Sequence, residues 1–208
     1  MPKVNIKPIG SMPEHTWHRS ISGFTLPEMM LALSIGSIIV LGSTQLFPKL
    51  RQQISILQQH YQLELVLRQG MAMLEKDLQR AGFCHGECKG KAITTHHYPG
   101  ETTDSCLITA YDLNRNGRWE GEKHQESEYF GYRLRNKALE AQRGELSCAG
   151  GGWERVFDPK EVTITHFSVR RLPEVTPAQI YRVQLAGQST DNVAVQNQLI
   201  YMIRGNNL

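Results

Sequence analysis

Three groups of residues in this sequence have the types and spacing to do chemistry. The first is Asp112-Leu113-Asn114-Arg115-Asn116-Gly117-Arg118-Trp119-Glu120. It places oxygen-bearing side chains at positions 1, 3, 5 and 9 and glycine at position 6, as a calcium-wrapping loop does. The expected ligands are Asp112, Asn114, Asn116, the backbone carbonyl of Arg118, and Glu120. The twelfth place, which should hold an acid, is Lys123, with Glu122 one place early. Two neutral Asn ligands and the missing acid point to weak Ca²⁺ binding, on the order of 10⁻⁴–10⁻³ M. The competing reading is a turn rich in Asx hydrogen bonds. The second group is Cys84, Cys88, Cys106 and Cys148, which can form disulfides; Cys84 and Cys88 could instead join His85 and His96 or His97 in a zinc site. The third is a lone carboxylate, Glu28, directly ahead of residues 29–47, which carry no charge at nineteen consecutive positions. A charge at the lip of such a run is costly unless something pairs with it. No H-E-x-x-H, G-x-x-x-x-G-K or G-x-S-x-G pattern occurs, so no catalytic residue and no organic cofactor is expected, and the chain does not read as an enzyme.

The composition narrows the partners. The 208 residues carry a formal charge of +3, of which +2 belongs to residues 1–23. The remainder is close to neutral and has no electrostatic footprint for nucleic acid. A mean hydropathy of −0.39 excludes several membrane spans but leaves room for one. Residues 29–47 supply it, since nineteen helical residues reach about 28 Å against a bilayer core of about 30 Å.

The elements that position these groups follow from periodicity. Residues 49–82 contain no proline, and Leu50, Ile54, Leu57, Tyr61, then Leu67, Met71, Leu74, Leu78 and Ala81, recur at helical spacing. One long helix is expected, broken or bent at Pro48 and stopped by Gly82, with its apolar stripe packed on the globular part. Residues 106–111, 128–135, 162–170, 179–185 and 198–204 read as strands, and 84–104 as loop-rich. Helix first and strands after predict an α+β fold, with one long N-terminal hydrophobic helix across an antiparallel β-sheet.

Ser22-Gly23-Phe24-Thr25-Leu26-Pro27-Glu28, followed at once by the apolar run, resembles the processing motif of type IV prepilins and type II secretion pseudopilins. Lys76-Asp77-Leu78-Gln79-Arg80-Ala81-Gly82-Phe83, the Cys-x-x-x-Cys after it, Tyr111-Asp112-Leu113-Asn114 and Cys148-Ala149-Gly150-Gly151-Gly152-Trp153-Glu154 are similar to J-type minor pseudopilins, W-type minor pilins and B-type prepilin peptidase-dependent proteins. The resemblance implies cleavage between Gly23 and Phe24 by prepilin peptidase, N-methylation of Phe24, and a role for Glu28 in assembly. It implies a cytoplasmic leader (1–23), a transmembrane and assembly half-helix (24–48), an amphipathic half (49–82) and a periplasmic β-rich domain (83–208), anchored in the inner membrane. Partners would be prepilin peptidase and other minor pilins or pseudopilins, met through the hydrophobic helix, at the tip of a pilus or pseudopilus. A leader of 23 residues containing Glu14 is long for the family, and Met12 is a second candidate start. In an oxidising periplasm the cysteines are expected as Cys84–Cys88, closing a tight loop after the helix, and Cys106–Cys148, joining a strand to a distant loop. The alternative function is a membrane-anchored periplasmic module that recognises DNA or a secreted protein.

Overall fold

The computed structural model describes residues 23–122, 124–144, 146–173 and 179–208. The leader, apart from Gly23, and Lys123 lie outside the described residues. The first element, α1 (Leu26–Arg80), runs unbroken through Pro48. Proline removes one helical N–H and leaves the Thr44 carbonyl without its donor. The Thr44 hydroxyl meanwhile bonds back to the Leu41 carbonyl at 2.9 Å. The expected break is therefore not an end of the helix. The chain divides into two compact units inside α1, between Leu50 and Arg51.

In the second unit α1 buries Leu63, Leu67, Met71, Leu74 and Leu78, a row at spacings of three and four. The expected stripe extended further upstream, and there the structure corrects it. Leu50, Ile54, Leu57 and Tyr61 are all more than half exposed, because the strands cover the helix only from Leu63 onward. Arg80 closes the helix. Gly82 turns the chain with a left-handed φ of +85°, and its N–H donates to the Ala110 carbonyl at 2.9 Å. A Cβ there would lie 2.4 Å from the Asn207 carbonyl oxygen, so glycine is required on both counts. The Asn207 amide reaches the last-turn carbonyls of Gln79 and Arg80 at 3.3 and 3.4 Å, the latter also accepting the Phe83 N–H at 3.0 Å.

Eight strands follow among the described residues, where five were expected. They are β1 (Ile93–His96), β2 (Cys106–Ala110), β3 (Tyr129–Arg135), β4 (Ala138–Arg143), β5 (Glu154–Arg155), β6 (Val162–Arg171), β7 (Ile180–Ser189) and β8 (Gln196–Arg204). They form two antiparallel sheets rather than one, ordered β1-β2-β3-β4-β5 and β6-β7-β8, with every strand beside its neighbour in sequence. The segment read as loop-rich supplies β1, which pairs Ile93 with Thr109 and His96 with Cys106. Backbone bonds from Ile164 to Lys137 and from Val169 to Asp104, both 2.9 Å, tie the first strand of the small sheet to turns of the large one. One core joins the helix row to Leu107, Tyr132, Leu134 and Leu139 of the large sheet, and to Phe167, Val169, Val183 and Leu185 of the small one.

A polar anchor sits inside this core. Asp77, 4% exposed, accepts hydroxyl bonds from Tyr111 at 3.1 Å and Tyr132 at 2.6 Å. Burial, with the Asp77 carboxyl beside it, pushes the Tyr111 phenol up to about 12 and raises that of Tyr132 further. Each buried leucine of the helix row contributes roughly 1.5–3 kcal/mol, against about 1 kcal/mol net for a hydrogen bond. The apolar row therefore holds α1 on the sheets, and Asp77 fixes which turn of the helix faces Tyr111 and Tyr132.

Two disulfides complete the unit. Cys84–Cys88 closes a separation of 4 and Cys106–Cys148 one of 42. By loop entropy alone the first contributes about 2 kcal/mol and the second about 4 kcal/mol. Arg133, 1% exposed, holds the Cys148 end in place. Its guanidinium pairs with Glu140 at 2.8 Å, donates to the Cys148 and Gly150 carbonyls at 2.6 and 2.9 Å, and stacks 4.4 Å from the Trp153 ring centroid.

Candidate functional site

The segment around Gly23 and Glu28 is built as a helix start. Thr25 stands just ahead of α1, and its carbonyl accepts the first helical bond, from the Met29 N–H at 3.1 Å. Three residues on, the Glu28 side chain reaches back. Its Oε2 accepts the Thr25 N–H at 2.8 Å and the Thr25 hydroxyl at 2.7 Å. This is one half of a capping box, and the T-x-x-E spacing was the available signal for it. Thr25, a member of the processing motif, is thus also the cap of α1. Pro27 occupies the first turn, where no intrahelical acceptor exists for the N–H it lacks. Phe24 is 84% exposed. A Cβ built on Gly23 would meet nothing within 4 Å, and its φ lies outside the left-handed range. The chain's own fold places no demand for glycine there.

From Leu26 onward, one helix among the described residues is long and apolar enough to cross a membrane. Ser34, Ser37, Ser43 and Thr44 return their hydroxyls to carbonyls three or four residues back, at 2.6–2.9 Å. Their polar atoms are thus satisfied within the helix, which hydrocarbon requires.

The second unit places the remaining candidates. Cys84 and Cys88 lie beside Asp112, but their sulfurs are bonded to each other and offer no thiolate to zinc. In the loop after β2, Asp112 is 1% exposed and accepts backbone N–H bonds from His85 (2.9 Å), Asn116 (3.0 Å) and Gly117 (3.0 Å). Burial works against its charge, yet these donors prevail and hold its carboxyl below the ordinary range. Asn114 Oδ1 accepts the Asn116 N–H, and Asn116 Oδ1 accepts the Arg118 N–H, at 3.0 and 3.1 Å. The Asn116 amide donates to Glu120 Oε1. Asp112, Asn114, Asn116 and Glu120 thus form one hydrogen-bonded loop, whereas Glu122 is exposed. Glu128 joins them from just ahead of β3. Its Oε1 accepts the N–H groups of Leu113 and of Asn114, the latter at 3.0 Å. Sequence spacing gave no sign of this, because Glu128 reaches the loop through the sheet.

The family model for prepilin peptidase-dependent protein B matches residues 56–205, which is most of the chain. This chain belongs to the prepilin peptidase-dependent protein B family. The prokaryotic N-terminal methylation motif matches residues 18–44, a window that includes Gly23, Phe24 and Glu28 and most of the apolar run. The chain is 32% identical to prepilin peptidase-dependent protein B of Escherichia coli (strain K12) over 188 residues, covering 89% of this chain and 97% of that relative. It is 24% identical to an uncharacterized protein of Haemophilus influenzae, across 69% of this chain and 80% of the other. No solved structure gives a significant match. The prepilin peptidase-dependent protein B family is pilin-like and is not an enzyme family. A methylation motif leading into a single apolar helix makes this member a pilin-like precursor and is compatible with membrane anchoring.

Proposed function

We propose that this protein is a minor pilin or pseudopilin precursor, cut between Gly23 and Phe24 by prepilin peptidase and N-methylated on Phe24. The mature chain then joins other minor subunits through its hydrophobic helix and helps to initiate or tip a pilus-like filament at the inner membrane, its β-rich domain in the periplasm. The observation that carries the reading is the methylation motif running directly into a capped, span-length helix. Glu28 is the assembly residue in this proposal. One of its oxygens serves its own helix start through Thr25, and its charge at the edge of hydrocarbon is offset by the terminal ammonium of a neighbouring subunit.

Mass spectrometry of chain purified from membranes tests the processing half. The expected species lacks residues 1–23, retains 185 residues and begins with methylated Phe24. Chain from cells lacking prepilin peptidase should keep the leader. Glu28→Gln tests the assembly half, because Gln at this place can still cap Thr25 but carries no charge. Cleavage and insertion should be unchanged, while recovery of partner minor subunits with the variant falls about tenfold, the equivalent of about 1.4 kcal/mol. Full-length chain with an intact leader in peptidase-competent cells would sink the first half, and unchanged partner recovery the second.

A further inference from the structure

The middle of the connection between β2 and β3 meets its far end where Glu120 approaches Glu128. The Glu128 N–H donates to the Glu120 carbonyl at 3.1 Å, and the Ser127 hydroxyl donates to the same oxygen at 3.1 Å. Both side chains are withdrawn from solvent, Glu120 at 8% and Glu128 at 0% exposure. Each carboxylate uses one oxygen within the loop, Glu120 Oε1 toward Asn116 and Glu128 Oε1 toward Leu113 and Asn114. The second oxygen of each, Oε2, is buried with no hydrogen-bond partner. Among the described residues no Lys or Arg forms a salt bridge with either. Two buried like charges with vacant acceptor oxygens are expensive unless a positive centre lies between them.

We propose that Glu120 and Glu128 are the anionic ligands of a Ca²⁺ site completed by oxygens of the loop that begins at Asp112. The donors are all oxygens, which selects a hard cation over zinc or copper. Gly117, with φ +84°, makes the sharp turn that the sixth place of a calcium loop needs. Asp112, with both oxygens already engaged by backbone N–H groups, is a positioning residue that shapes this turn. The acid missing at the twelfth place is supplied by Glu128, five places later in the chain. Bound there, the ion would fasten the β2–β3 connection. It would also steady the Cys84–Cys88 loop, since His85 donates to Asp112 and a Cβ on Gly86 would lie 2.9 Å from Gly117 Cα.

The test is thermal melting of the full chain in detergent at neutral pH, in EDTA, in millimolar Mg²⁺ and in millimolar Ca²⁺. At ten times Kd, calcium should raise Tm by about 3–6 °C over EDTA, and magnesium by less. Glu120→Gln and Glu128→Gln should lose the calcium response yet melt in EDTA at or above the wild type, because the like-charge burial is gone. Glu122→Gln, at an exposed position, should respond as the wild type does. Terbium emission excited through tryptophan, with Trp119 beside Glu120 in the chain, gives a binding readout independent of stability. It should be displaced by Ca²⁺ and lost in Glu128→Gln. Wild-type melting that is the same in calcium and EDTA, with Glu128→Gln still stabilising, would identify a shared proton instead of an ion and overturn the proposal. A full calcium response in Glu128→Gln would overturn it equally.

Discussion

A chain carrying Gly23→Leu is expected to accumulate with its leader attached, at a cleavage rate reduced tenfold or more, while Gly23→Ala is still cut. The expectation follows from what surrounds this glycine. A Cβ added there would touch nothing within 4 Å, and the backbone does not need the left-handed region that glycine alone enters freely. Folding therefore tolerates Ala and Leu alike, and any discrimination between them must come from the peptidase that closes around the bond. Steric exclusion worth about 1.4 kcal/mol in that complex is enough for tenfold. Gel mobility and intact mass of the membrane fraction, sampled over time after induction, separate the long and short forms. Leu processed as fast as Gly would show that position 23 is not what the enzyme reads, and the proposed cut would have to move.

Asp77→Ala should damage the second unit severely, lowering its stability by about 3 kcal/mol. The substitution removes the acceptor of two buried phenols, at 3.1 Å from Tyr111 and 2.6 Å from Tyr132, and each stranded donor costs roughly 1–3 kcal/mol. Melting of the full chain in detergent should fall by roughly 10 °C. Tyr132→Phe in the Asp77→Ala background should recover part of the loss, since it removes one stranded hydroxyl. A double variant no more stable than Asp77→Ala would mean that the phenols find water and that the anchor contributes little.

Asp77 also marks where sequence reasoning stopped. It stands in the Lys76-to-Phe83 run on which the resemblance rests, yet periodicity treats a polar residue in a helix as solvent-facing. Only the approach of Tyr111 and Tyr132, 34 and 55 residues away, reveals it as a core residue. The processing segment was readable because all its parts lie within a few positions: Gly23, Phe24, Glu28 and the uncharged run. Strands with alternating burial were readable too, as β6 and β7 show, since a half-buried strand writes period two into its residues. What escaped was β1, with its Thr-Thr-His, β4, with no fully polar or apolar face, and β5, only two residues long. These exist because a neighbour pairs with them. The division into two sheets is likewise a matter of long-range pairing and has no local signature. Glu128 was read as the first residue of a strand. Its second role depends on bonds to Leu113 and Asn114 that span 15 and 14 residues.

Pro27 has a consequence for when the chain can be read by a protease. Peptidases cleave extended backbone, and a helix 55 residues long tends to recruit its flanking residues into further turns. One more turn of α1 upstream would wind the Gly23–Phe24 bond into the helix. The pyrrolidine ring of Pro27 forbids that turn, because in a helix it would collide with the carbonyl four residues before it, which is that of Gly23. The Gly23 carbonyl, at the proposed cut, is thus kept unwound by Pro27, while Thr25 and Glu28 seal the helix just downstream. Replacing Pro27 by Ala should slow cleavage in a timed processing assay without altering either residue of the proposed cut.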